Sequence, residues 1–185
     1  MVVLLIRRLA EKSLLRPMLS LGLCLMLATI ALSSGALAEQ RTRGKSGLFL
    51  PRFVATSEAK ANVRRGPGAE YPLLWQYQGL GIPLEIVAEY GNWRQIRDHE
   101  GDEGWMHMRL LRSTHRVIVQ SGPHAIALKA RPDTGASTRA YIGDGALGKV
   151  TQCSQGWCEI AIGDYDGWLP RNKLWGLHAS DFTED

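Results

Sequence analysis

Four landmarks recur in one order along this chain, and their spacing limits it to two copies of one small domain. Pro67 returns as Pro132 at an offset of 65 residues, Gly81 as Gly145 at 64, Trp93 as Trp157 at 64, and Trp105 as Trp168 at 63. The first copy reads Ala61-Asn62-Val63-Arg64-Arg65-Gly66-Pro67-Gly68, then Gly91-Asn92-Trp93-Arg94-Gln95-Ile96 and Gly104-Trp105. The second reads Leu128-Lys129-Ala130-Arg131-Pro132-Asp133, then Gly156-Trp157-Cys158-Glu159-Ile160 and Gly167-Trp168. An offset that shrinks one residue at a time is what single deletions in loops between matching strands produce.

The start of the chain belongs to neither copy. Arg7, Arg8, Lys12 and Arg16 precede an apolar, uncharged run from Met18 to Leu32, and Ser33-Ser34-Gly35-Ala36-Leu37-Ala38 follows. A basic stretch, an apolar stretch and an A-x-A site describe a signal peptide over residues 1–38, cut after Ala38. The expected product is exported, periplasmic or secreted. Its charge is then nearly balanced. The whole chain has 22 Lys+Arg and 18 Asp+Glu, and the leader removes four and one of these. A nucleic-acid surface needs a surplus of cations to displace counterions, and this chain offers none. Of the 3 cysteines, Cys24 leaves with the leader, so Cys153 and Cys158 remain in an oxidising compartment.

Residues 39–51 (EQRTRGKSGLFLP) are polar, without periodicity before Leu48, and read as a flexible lead-in. From Arg52 onward short apolar runs alternate with Gly- and Pro-rich turns, and no long helical pattern occurs, so the chain is expected to be all-β. Pro83 to Tyr90 and Trp93 to Arg97 flank Gly91-Asn92, a two-residue hairpin turn. That turn sets Tyr90 opposite Trp93, Glu89 opposite Arg94, Ala88 opposite Gln95 and Val87 opposite Ile96. In the second copy the turn Gln155-Gly156 sets Ser154 opposite Trp157 and Cys153 opposite Cys158. Facing residues of antiparallel strands lie close enough for a disulfide, so Cys153–Cys158 is the expected bond. It replaces the Glu89–Arg94 ion pair of the first copy.

The segments Pro51-Arg52-Phe53-Val54, Asn62 to Gly68, Tyr71-Pro72, Asn92-Trp93 and Glu103-Gly104-Trp105 resemble the bacterial Src-homology-3-type domain family. Arg131-Pro132-Asp133, Gly156-Trp157-Cys158, Asp166-Gly167-Trp168 and Leu174-Trp175-Gly176 look like a second member in tandem. The arrangement is similar to small exported two-copy proteins of alphaproteobacteria. The resemblance implies two SH3-like β-barrels of five or six strands, at 52–114 and 115–178, with a polar tail at 179–185. It also implies a recognition module for cell-wall peptide or for an extended segment of an envelope protein. Family members are commonly fused to a hydrolase, and no such domain is expected beside the two copies here. The alternative is a structural or regulatory partner of another periplasmic protein, with no wall ligand.

Candidate ligand-binding residues follow from strand parity. If Ile96 and Ile160 point inward, Trp93 and Trp157 point outward, beside Tyr90 and Ser154. Rigidly held aromatic rings suit an extended peptide or a sugar face; the alternative is that each tryptophan covers a barrel's open end or the seam between the two copies. Trp105 and Trp168, each after a glycine, read as framework. Arg64 and Arg65, with Tyr71 nearby, could clamp a carboxylate, and Lys129 and Arg131 stand in the same neighbourhood of the second copy. Asp98, Glu100 and Asp102 alternate like a calcium loop. An EF-hand glycine would fall on Glu103, however, and the final bidentate Glu on Arg109, so a solvated loop and no metal are expected. The histidines are scattered without metal-ligand spacing, no phosphate-binding glycine motif is present, and no nucleophile–base pair is marked. No enzyme and no cofactor are therefore expected.

Overall fold

The computed structural model describes residues 41–178 and 180–182. The signal peptide at 1–38 lies outside the described residues, as do Glu39, Gln40, Ala179 and residues 183–185. A short hairpin comes first, β1 (Thr42–Arg43) with β2 (Phe49–Leu50). The first barrel follows: β3 (Arg52–Thr56), β4 (Lys60–Arg64), β5 (Leu73–Gln78), β6 (Pro83–Tyr90), β7 (Trp93–Arg97) and β8 (Glu103–His107), then a 3-10 turn at Met108–Leu110 and β9 (Leu111–Arg112). The second comprises β10 (Arg116–Val119), β11 (Ile126–Lys129), β12 (Thr138–Ile142), β13 (Leu147–Ser154), β14 (Trp157–Ile162) and β15 (Tyr165–Pro170), then a 3-10 turn at Arg171–Lys173 and β16 (Leu174–Trp175).

The strand orders are β5-β4-β8-β7-β6-β3-β9 and β12-β11-β15-β14-β13-β10-β16. Adding seven to each label of the first gives the second. The match extends to single hydrogen bonds in the loops. Arg65 N–H donates to Pro72 O as Ala130 donates to Ser137 O, and Gly81 donates to Thr56 O as Gly145 donates to Val119 O. Each sheet has seven strands rather than five or six. The addition is a two-residue strand after the 3-10 turn, pairing with the first strand of its barrel.

Two cores result. Val54, Val63, Ile86, Ile96 and Met106 fill the first, and Val117, Leu128, Val150, Ile160 and Leu169 occupy the matching places in the second. Each buried aliphatic side chain contributes about 1.5–3 kcal/mol by leaving water. Tyr90 faces Trp93, Glu89 faces Arg94 and Ala88 faces Gln95. Ile96, however, faces Ile86 and not Val87. A bulge inserts Val87, and Thr151 occupies the same place in the second copy. The extra residue lets a long strand curl around a narrow barrel, and it changes the parity beyond the bulge.

The segment expected as a flexible lead-in is, from Arg41 on, a folded hairpin. Its tip is fixed by Ser46, whose N–H and hydroxyl donate to the Glu89 carboxylate at 2.8 and 2.7 Å. Gly44 packs so tightly there that a Cβ would sit 2.6 Å from Glu89 Oε2. His178, Asp181 and Phe182 are likewise docked: Arg171 donates to His178 O, His178 N–H donates to Asp181 Oδ2, and the Phe182 ring packs on His115 at 4.5 Å.

The barrels pack against one another along a seam. Phe53 meets Trp175 edge-on at 5.0 Å and His178 at 4.5 Å. Arg116 lies against Gly81 so closely that a Cβ there would be 3.2 Å from its Nε.

Candidate functional site

Parity places one pattern on the outer face of each barrel. Along β7 and β8, Arg94, Ile96, Gly104 and Met106 are buried, so Trp93, Gln95, Trp105 and His107 face outward, half-buried. Trp93 pairs with His107, ring against ring at 5.3 Å, and Gln95 pairs with Trp105. Arg64 pairs with Trp105 from the other side. In the second barrel Trp157 pairs with Pro170, Glu159 with Trp168, and Lys129 with Trp168. Each face thus carries two tryptophans and one cation at corresponding positions. Trp105 and Trp168, expected as framework, belong to these faces. The burial of their neighbours Met106 and Leu169 on the same strands is the signal that could have placed them there.

Tyr90 extends the first face. It stands beside Trp93 at the hairpin end, is 59% exposed, and has the Lys45 ammonium 5.6 Å from its ring centroid. Ser154 takes its place in the second barrel, so the first platform is the larger.

The two cations have a shared structural task. Arg64 Nη1 donates to Tyr71 O at 2.8 Å, and Lys129 Nζ donates to Ala136 O at 3.0 Å, both across seven residues. Each closes the loop that follows its strand. Tyr71 and Arg65 are exposed beside that loop. Arg64, Arg65 and Tyr71 are therefore together, while Tyr90 and Trp93 stand at the β6–β7 turn and Trp157 lies on the other barrel.

Glu89 accepts three hydrogen bonds, from the Ser46 N–H and hydroxyl and from Arg52. The glutamate side chain is 2% exposed. Burial alone would raise its pKa. The Ser46 N–H and hydroxyl, and then the hydrogen bond and charge of Arg52 at 2.7 Å, outweigh burial and hold it at about 2. Arg94 Nε lies 3.4 Å away. At the corresponding place in the second barrel, Cys153 and Cys158 face one another and form a disulfide, so neither is a free thiol.

Asp98, Glu100 and Asp102 bring their carboxylates within 4.8 Å of one another. Asp98 already serves the loop: Oδ1 accepts from the N–H groups of Glu100 and Asp102, and Oδ2 accepts from the Tyr77 hydroxyl at 2.7 Å. Burial first, and that hydrogen bond second, push the Tyr77 phenol above its usual pKa.

Two seven-stranded all-β sheets of identical order define a tandem SH3-like barrel protein. The family description of the bacterial SH3 domain matches residues 57–113 and 123–176, more than half of the chain, and the chain belongs to that family. It is 25% identical over 141 residues to "Putative N-acetylmuramoyl-L-alanine amidase YrvJ" of Bacillus subtilis strain 168, covering 71% of this chain and 27% of that protein. Among solved structures it is similar to NlpC2 from Trichomonas vaginalis, at 11% identity and TM-score 0.31, covering 68% of this chain and 48% of that one. An NlpC/P60 family protein from Bacillus cereus aligns at 13% identity and TM-score 0.31, covering 66% and 55%. The chain thus spans about a quarter of the length of the curated relative.

Proposed function

We propose that this chain is a non-catalytic binding module of the cell envelope whose outer barrel faces hold cell-wall peptide. The observation that carries this reading is the repetition of two outward tryptophans and a cation in matching register, Trp93, Trp105 and Arg64 against Trp157, Trp168 and Lys129. Rings held on paired strands lose little entropy when a ligand stacks on them, and a loop-closing cation still presents positive charge to a peptide carboxylate. Similarity to a segment of a protein named as an amidase supports a wall ligand.

Co-sedimentation of residues 41–185 with insoluble peptidoglycan tests it. Saturable pelleting is expected, and Trp93→Ala should weaken it at least about fivefold, the effect of losing roughly 1 kcal/mol of stacking. Because Trp93 is only half-buried, the thermal transition should persist. Absence of pelleting would remove the wall ligand from this reading.

One feature favours a protein partner instead. The outermost strand of the first sheet, β5, exposes Leu73 and Leu74, with Tyr71 and Leu80 on the adjoining chain. An apolar outer strand suits addition of an extended segment from another protein. Stoichiometric recovery of one envelope protein, abolished by Leu74→Lys and unaccompanied by wall binding, would establish that alternative.

A further inference from the structure

The seam encloses chemistry that neither outer face uses. A cavity of about 270 Å3 lies between the barrels. Arg41, Arg52 and Phe53 line it from one side, and His115, Lys149 and His178 from the other. Asp181 is the single acid among its lining residues, and its Oδ2 is engaged by the His178 N–H at 2.8 Å.

The cationic side chains there have donors to spare. Arg52 gives Nη2 to Glu89 at 2.7 Å, but its Nη1 is buried without a hydrogen-bond partner. Arg41 gives Nη1 to the Ser180 hydroxyl at 2.7 Å, and its Nε is likewise buried and unpartnered. The His178 side chain is 9% exposed, stacks on Phe53, and has no hydrogen bond at Nε2, where Glu85 Oε1 stands 3.9 Å away. Lys149 is exposed at the cavity's edge. Buried polar groups are normally satisfied, and two idle guanidinium donors around one cavity call for an acceptor that carries charge.

We propose that the seam cavity binds an oxyanion, a carboxylate or a phosphate group, held jointly by Arg41 and Arg52 of the first half and Lys149 of the second. The site is separate from the tryptophan faces, and its ligand would tie the barrels together.

The test uses residues 41–185, the compact unit that contains both cores and all these side chains. Sodium phosphate and N-acetylglycinate are titrated separately at constant ionic strength, with binding read by calorimetry and by the shift in melting temperature. Saturable binding of at least one probe is expected, and the probe that saturates tells phosphate from carboxylate. Lys149→Met and Arg41→Met should each raise Kd about tenfold, the lower end for a charge-assisted hydrogen bond. Lys60→Met, an exposed cation on β4, and Trp93→Ala should leave Kd unchanged. No saturation with either probe would overturn the site, and so would an equal loss in Lys60→Met.

Discussion

Replacing Glu89 by glutamine keeps the shape of the side chain and removes the charge that Ser46, Arg52 and Arg94 converge on. The carboxyl moves from 4.5 in the unfolded chain to about 2 in the folded one. At about 1.4 kcal/mol per unit, that difference is worth on the order of 3 kcal/mol. Because the folded value is the lower, the contribution is complete above the unfolded value of 4.5 and is lost as pH falls toward 2. By pH 3 about 2 kcal/mol of it has gone. The loss of a buried ion-pair partner falls in the same range at neutral pH. Urea unfolding of wild type and Glu89→Gln, followed by tryptophan fluorescence, should therefore show a gap of about 3 kcal/mol at pH 6 that narrows to about 1 kcal/mol at pH 3. Other carboxylates titrate in both proteins and cancel in the difference. A gap that stays constant across this range would refute the assignment of the low pKa to this cluster.

The disulfide should behave independently of that cluster. Closing so short a loop contributes about 2 kcal/mol, so Cys153→Ser with Cys158→Ser should lower the stability of the second barrel by that amount, read as two calorimetric transitions with only one displaced. Gly44→Ala drives a methyl group into Glu89; it should cost roughly 1–3 kcal/mol and speed hydrogen exchange at the Ser46 amide, while the second barrel stays unchanged. Gln155 holds φ +50 beside Gly156 at +77. Asn tolerates that left-handed conformation better, and Gln155→Asn should raise stability by roughly 0.5–1 kcal/mol in the same unfolding assay.

What was legible depended on how local its cause is. Gly91-Asn92 and Gln155-Gly156 fix their hairpins from two residues, so the Tyr90–Trp93 and Cys153–Cys158 pairings could be read directly. The Val87 bulge could not, because barrel curvature selects it and the residue itself carries no mark. The hairpin at 42–50 was hidden for a related reason. Its apolar signal is only Leu48-Phe49-Leu50, and its anchor, Glu89, lies 43 residues from Ser46. Outward tryptophans followed from alternation along the strands, and applying the same rule to Trp105 would have completed the face. The partners across the seam could not be read, since Phe53 and Trp175 do not hold equivalent positions in the two copies, and aligning the copies never sets them side by side.

That mismatch has a consequence for how the duplication persists. Strand register makes Phe53 the counterpart of Arg116, Glu85 of Lys149, and Arg112 of Trp175. Five of the six border the seam or its cavity, and Arg112 lines a neighbouring cavity of the first barrel. The barrels therefore meet through related surfaces whose chemistry has parted ways, apolar against cationic and acid against base. Recombination that copied the first barrel over the second would put Arg in place of Trp175 and Glu in place of Lys149, and the halves would no longer fit. A repeat that began as two interchangeable units has become a pair in which each half can be replaced only by itself.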